Sequence, residues 1–161
     1  MPIIDKIKSF LSNTTDLSLG YNEINFIQPD NLGEEQVGYS KDPNGNSLAT
    51  GNVGDWRKEW LVIATDQMGD PIIVDVSSPN LSVLSASSGE GSWESFVIAE
   101  SLDNFKSIIS ILKKLSNNRE NPVELDKHPI TDNERQNELT QIGEHNPTIE
   151  IWFWENFLEN D

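Results

Sequence analysis

The chain has 161 residues, no cysteine, and 27 acids against 11 bases, for a net charge of −16. That length predicts one domain, large enough to bury about 70% of the surface its unfolded form exposes, so no metal or disulfide staple is needed. The absent cysteine excludes a thiol nucleophile, a thiolate zinc site and a disulfide scaffold, and the charge argues against nucleic-acid and anionic-membrane binding.

The N-terminal apolar run is short and broken by Asp5, Lys6 and Lys8, with no apolar core of signal-peptide length. No stretch approaches the ~20 apolar residues of a membrane helix, so cytoplasmic residence is the expectation. Ile3, Ile4, Ile7, Phe10 and Leu11 recur at helical spacing, which predicts a helix over 2–12 with Pro2 in its first turn. Residues 13–20 read as a loop. A short strand over 23–28 follows, stopped by Pro29, and residues 31–40 read as one or two helical turns. Pro43, Asn44-Gly45, Gly51 and Gly54 punctuate 41–54 as a loop.

The middle of the chain is the most legible. Apolar runs at 60–65 and 71–76, with Pro71 opening the second, read as strands, as do 81–86 and 93–99. The segments between them, 66–70, 77–80 and 87–91, carry turn chemistry. Strands joined by such short turns are antiparallel neighbours, because a parallel crossover needs a dozen or more residues. Leu102, Phe105, Ile108, Ile109, Leu112 and Leu115 form one stripe of a helix over 101–116. Ser101 is its cap, and the stripe is expected to face the sheet. Strands followed by a helix predict an α+β fold: a central antiparallel sheet, a meander over 60–99, with flanking helices.

Residues 120–161 differ from the rest, with eleven acids against two bases. They read as an acidic, Trp-rich extension to a domain of residues 1–119: a polar linker near 116–133, a helix over 131–143, then a crowd of apolar residues. Ile149, Ile151, Trp152, Phe153, Trp154, Phe157 and Leu158 are too costly to leave in water, so the last dozen residues are expected to dock on the same domain. Trp152 and Trp154 diverge if that segment is helical, leaving one exposed.

No constellation for catalysis is legible. There is no Gly-x-Ser-x-Gly elbow and no phosphate-binding loop, and His128 and His145 both lie in the acidic tail. Asp66 and Asp70 read as a hairpin turn, since a calcium loop needs a longer ligand series. Gly89-Glu90-Gly91 reads as another turn. No enzymatic activity, cofactor or metal is expected. Among the five tryptophans, Trp60 reads as core, while Trp56 and Trp93 lie beside loops and are the candidates for a binding face.

Residues 54–115 resemble the SUKH superfamily, the cell-wall-assembly-regulator-like domains. The corresponding pieces are Trp60, Ile63-Ala64, Asp66, Gly69-Asp70, Ile72 to Asp75, Val83, Ala99 to Leu102, and Phe105. Upstream, Leu32 to Tyr39 with Gln36 is similar to the segment that precedes the sheet in that family. The resemblance implies an α+β protein-binding domain without enzymatic activity, in bacteria mostly an immunity protein that neutralises a cognate secreted toxin, often a nuclease. A regulatory or scaffold domain with another protein partner is the alternative. The net charge suits a basic partner. The acids expected to meet it are Asp66, Asp70, Glu90 and Glu94, on loops at the sheet's ends, with Trp56 or Trp93 as an apolar anchor.

Overall fold

Six strands lie in the sheet in the order in which they occur in the chain, and every neighbouring pair is antiparallel. They are β1 (Leu17–Leu19), β2 (Asn22–Phe26), β3 (Trp60–Asp66), β4 (Pro71–Asp75), β5 (Val83–Gly89) and β6 (Ser92–Ala99). The helices are α1 (Ile3–Ser12), α2 (Leu102–Leu115), α3 (Pro122–Lys127), α4 (Asp132–His145) and α5 (Trp152–Phe157). The computed structural model describes residues 2–89 and 91–161. The fold is the α+β meander that the turn spacing predicts. Because the strands alternate in direction, the turns after β1, β3 and β5 all leave the same end of the sheet.

β3 and β4 are near-continuous apolar runs because the sheet is covered on both faces. On one face, Ile7, Phe10 and Leu11 of α1 and Phe105, Ile109 and Leu112 of α2 pack against Ile24, Ile63, Ile72, Val74 and Ile98. The α2 stripe faces the sheet, and Ser101 caps the helix by accepting a hydrogen bond from the Asn104 N–H at 3.0 Å. On the other face, Trp56, Trp60, Val62, Ile73, Leu84 and Ala86 form a smaller core beneath the long β2–β3 connector. Alternation lets β3 serve both cores, and a bulge between Val62 and Ala64 places the adjacent Ile63 and Ala64 together in the helix-side one.

That connector leaves the sheet at Pro29 and makes two 3₁₀ turns, Pro29–Asn31 and Glu34–Gln36. Gln36 then stands in for a strand. Its buried side chain accepts from the Val62 N–H (2.9 Å) and donates to the carbonyls of Val62 (2.8 Å) and Leu32 (2.9 Å). Unpaired, those buried groups of β3 would cost about 1–3 kcal/mol each.

Some expectations shift. Residues 13–20 contain β1, which at three residues is too short to show a period. The second strand ends at Phe26, two residues earlier than 28. The strand expected over 81–86 runs from Val83 to Gly89, because Leu81 sits at φ 55° in the turn before it and Ser87 pairs with Glu94 across the hairpin. The stretch 116–133 is not linker throughout. It holds α3, which Asn121 caps by accepting from the Glu124 N–H, with Pro122 at the first position and Leu125 fully buried. Gly20, at φ 75°, is where the β1–β2 turn meets α3, and a Cβ there would overlap the Leu125 side chain.

The end of the chain packs into the helix-side core. Phe153, Trp154, Phe157 and Leu158 are buried, and the Trp154 indole donates to the Ile98 carbonyl at 2.8 Å. Trp152 and Trp154 diverge on α5, leaving Trp152 44% exposed, its ring tilted against Phe96 at a centroid distance of 4.4 Å. Among the described residues, no helix is long and apolar enough to cross a membrane.

Candidate functional site

Asp66 closes β3 and builds the turn that follows. Its Oδ1 accepts from the N–H groups of Met68 (2.8 Å) and Asp70 (3.0 Å), and the Asp66 N–H donates to the Asp70 carbonyl at 2.9 Å. Gly69, at φ 81°, completes the turn. Burial raises the Asp66 pKa, the Asp70 charge adds to this, and the backbone N–H bonds oppose it. Asp66 is therefore first a turn former. Its turn lifts Met68 into solvent at 77% exposure.

Tyr39 ties the connector to this turn by donating its hydroxyl to the Gly69 carbonyl at 3.2 Å. Burial raises its pKa, and the charges of Asp70, Asp66 and Glu35 raise it further, which marks a negative field around the hydroxyl. Beneath it lies an aromatic stack. Tyr39 meets Trp56 at a centroid distance of 5.5 Å, and Trp56 meets Trp93 and Trp60 edge-on, each at 5.2 Å. Trp60 is core, as expected. Trp56 is 2% exposed, so it supports the surface from below and cannot be the anchor proposed for it from its place beside a loop. The reason is tertiary: Tyr39 and Trp93, distant in sequence, converge over it. Trp93 is half-buried in the same stack.

Glu94 is exposed, but strand alternation turns it to the helix side of β6, away from Trp93 and Tyr39. Asp66 and Asp70 are thus brought together with Tyr39, while Glu94 is not. Glu90 lies outside the described residues.

Sequence reasoning missed the apolar side chains at this end. The connector hangs along it, since the Gly54 carbonyl accepts from the Trp93 N–H at 2.7 Å and the Tyr39 hydroxyl reaches Gly69, while the Leu48 N–H folds the connector on itself by donating to the Ser40 carbonyl at 2.8 Å. Val37 (41%), Leu48 (38%) and Val53 (105%) are exposed there, as is Tyr21 (45%) in the β1–β2 turn. The available signal was local: Met68 and Val53 are apolar residues inside turn sequences, where nothing local buries them.

Two hollows flank the Asp66–Asp70 turn. One, of about 470 Å³, lies between β2, β3 and the connector, with Asn25, Gln28, Glu35, Val37, Tyr39 and Thr65 around it. The other, about 130 Å³, lies on the helix side, where Trp152 meets Asp66, Gln67 and Asn22. Among the described residues, neither is lined by a lysine or arginine. The arrangement can bury apolar surface against a partner while presenting carboxylates to its bases.

Elsewhere the histidines stay apart. His145 Nδ1 lies 2.8 Å from the Gln141 carbonyl, and both His128 and His145 are exposed. Among the described residues no group of three histidine, aspartate or glutamate side chains could hold a metal ion. Comparison with known proteins returns no matching family model, no matching curated protein and no matching solved structure. The likeness to SUKH domains accordingly rests on the residues quoted for it above.

Proposed function

We propose that the chain is a non-enzymatic protein-binding domain, an immunity protein that neutralises a cognate bacterial toxin through a basic face of that toxin. The observation that carries the reading is the hairpin end of the sheet, where exposed Met68, Trp152 and Val37 stand among Glu35, Asp66 and Asp70 and, among the described residues, no base lines the hollows. Apolar anchors ringed by charge are what a specific interface needs, because the anchors hold the complex and the charges speed its formation. The excess of acids over bases across the whole chain acts in the same direction at long range.

Affinity capture from the source cells, followed by binding kinetics, tests this. The partner is expected to be basic and toxic when expressed alone, with the toxicity relieved by this chain. Its association rate is expected to fall as salt is raised past about 0.1 M, where charges more than ~10 Å apart are screened. Met68→Ala and Trp152→Ala are expected to speed dissociation. An acidic partner, or an association rate indifferent to salt, overturns the electrostatic part. A partner that is harmless alone replaces the toxin reading with a regulatory or scaffold one.

A further inference from the structure

We infer that the hollow between β2, β3 and the connector is a receptor for a single arginine side chain of the protein partner, a pocket-level statement that rests on the protein-binding reading above. Its chemistry is one-sided. Among the described residues, the Gln28 amide, the Thr65 hydroxyl and the Glu35 carboxylate line it without any side-chain hydrogen bond to the protein. Asn25 uses its amide nitrogen on Glu23 at 3.1 Å, which leaves its oxygen as an acceptor. Ile27 and Val62 supply an apolar floor, and Val37 and the Tyr39 ring an apolar wall.

A guanidinium is the cation that uses both halves of such a site. It is planar, carries five donors in a fixed fork, is weakly hydrated, and stacks on aromatic faces, whereas an ammonium is a compact, strongly hydrated point charge. The aliphatic stem of an arginine matches the apolar wall. The hollow, about 470 Å³, has room for the whole side chain. The negative field that resists ionisation of Tyr39 comes from Asp70, Asp66 and Glu35, and the same field favours a cation here.

The pocket is also held open. Gln36 pins the connector to Val62 from inside, and the Tyr39 hydroxyl pins it to Gly69 at the turn. The wall is thereby fixed before a ligand arrives, which lowers the ordering cost of binding.

The test is a titration of the isotope-labelled full chain at low salt, read by amide and side-chain shifts, with N-acetyl-arginine amide as the probe. N-acetyl-lysine amide and the neutral isostere N-acetyl-citrulline amide are the controls. Saturable shifts are expected at Asn25, Gln28, Tyr39 and Thr65 with the arginine probe, weaker ones with lysine and none with citrulline. Glu35→Gln, at an exposed position where folding is not at stake, is expected to weaken arginine binding about tenfold, the order of one charge-assisted hydrogen bond. Absence of saturation, shifts scattered over all acidic surfaces, or an equal response to lysine or citrulline overturns the assignment. The two readings fail separately. Arginine binding without any protein partner leaves the pocket standing and removes the toxin reading. A toxin bound with no arginine response does the reverse.

Discussion

The two faces of the sheet are covered in different ways. On one face, α1, α2 and α5 bury a continuous core of large side chains, and Phe10, Phe26, Phe105 and Trp154 meet within it. On the other, an irregular connector covers a small aromatic core and is fastened at a few polar points: the Gln36 amide to both backbone groups of Val62, the Trp56 indole to the Trp60 carbonyl at 3.3 Å, and the Tyr39 hydroxyl to the Gly69 carbonyl. The difference separates two tasks. Regular helices bury enough area to hold the fold. A connector anchored by the buried Leu32 and Trp56 and pinned at a few polar points leaves the rest of its length to shape a surface at the sheet's end.

Substitution at the helix-side core is expected to have the largest effect on stability. Trp154→Ala removes a fully buried ring and leaves the Ile98 carbonyl without its indole donor. A loss of about 3–5 kcal/mol is expected, read as a drop in the denaturation midpoint. Trp152→Ala, two residues away, should cost only about 1 kcal/mol, its aromatic contact with Phe96. Equal costs would mean that α5 does not divide its tryptophans between core and surface.

Next comes the connector. Gln36→Leu fills a similar volume but leaves the Val62 N–H and carbonyl unpaired in a buried place. About 2–3 kcal/mol is expected. The more informative reading is local: hydrogen exchange should accelerate across 28–59 while α2 stays protected. Uniform acceleration would show that the two faces unfold as one unit and would end the division drawn between them.

The same contrast explains what the sequence made legible. β3, β4 and α2 could be read because burial imposes a period or a continuous run, and because Ser101 and the glycines mark their ends. Thr131 and Glu134 likewise announce α4 through a capping box. β1 and α3 are too short for a period, although Asn121-Pro122 is a readable start. Gln36 reads as an ordinary polar residue, since nothing local says that its amide replaces a strand. At the candidate site, the turn from Asp66 to Asp70 was legible from its turn chemistry. Trp56 misled, because only the fold brings Tyr39 and Trp93 over it.

A third test looks for a flaw on the stronger side. Glu138 of α4 has one carboxylate oxygen buried without a hydrogen-bond partner among the described residues. Burial raises its pKa, and the charge of Glu134 adds to the shift. The folded protein therefore holds this proton more tightly than the unfolded chain does. The resulting penalty is absent at low pH, sets in as pH rises through the ordinary glutamate range, and is complete above the raised value. Glu138→Gln is expected to raise the melting temperature modestly near pH 7, with the advantage shrinking on acidification. An advantage constant across pH would assign the gain to packing instead of charge. Glu134 itself has the opposite sign. The Thr131 N–H bond, and then Arg119, hold its pKa down, so its contribution is present above the ordinary range and lost as pH falls through the lowered value.

The smallest effect on stability is expected at the hairpin end, and that is what makes the comparison useful for function. Met68 is 77% exposed and Val53 wholly so, and each sits in a turn whose backbone bonds do not involve its side chain. Met68→Ser and Val53→Ser should change stability by no more than about 0.5 kcal/mol, as surface substitutions do. If Met68 is an anchor, its loss should still weaken partner binding by about 2 kcal/mol, almost entirely through faster dissociation. Charge reversal at Asp70, by contrast, should act mainly on association and fade in high salt. A variant that binds poorly yet melts like the parent would locate the interface without disturbing the fold. If Met68→Ser binds like the parent while Trp152→Ala does not, the interface lies on the helix side of the turn, and the hollow beside Tyr39 is only its rim.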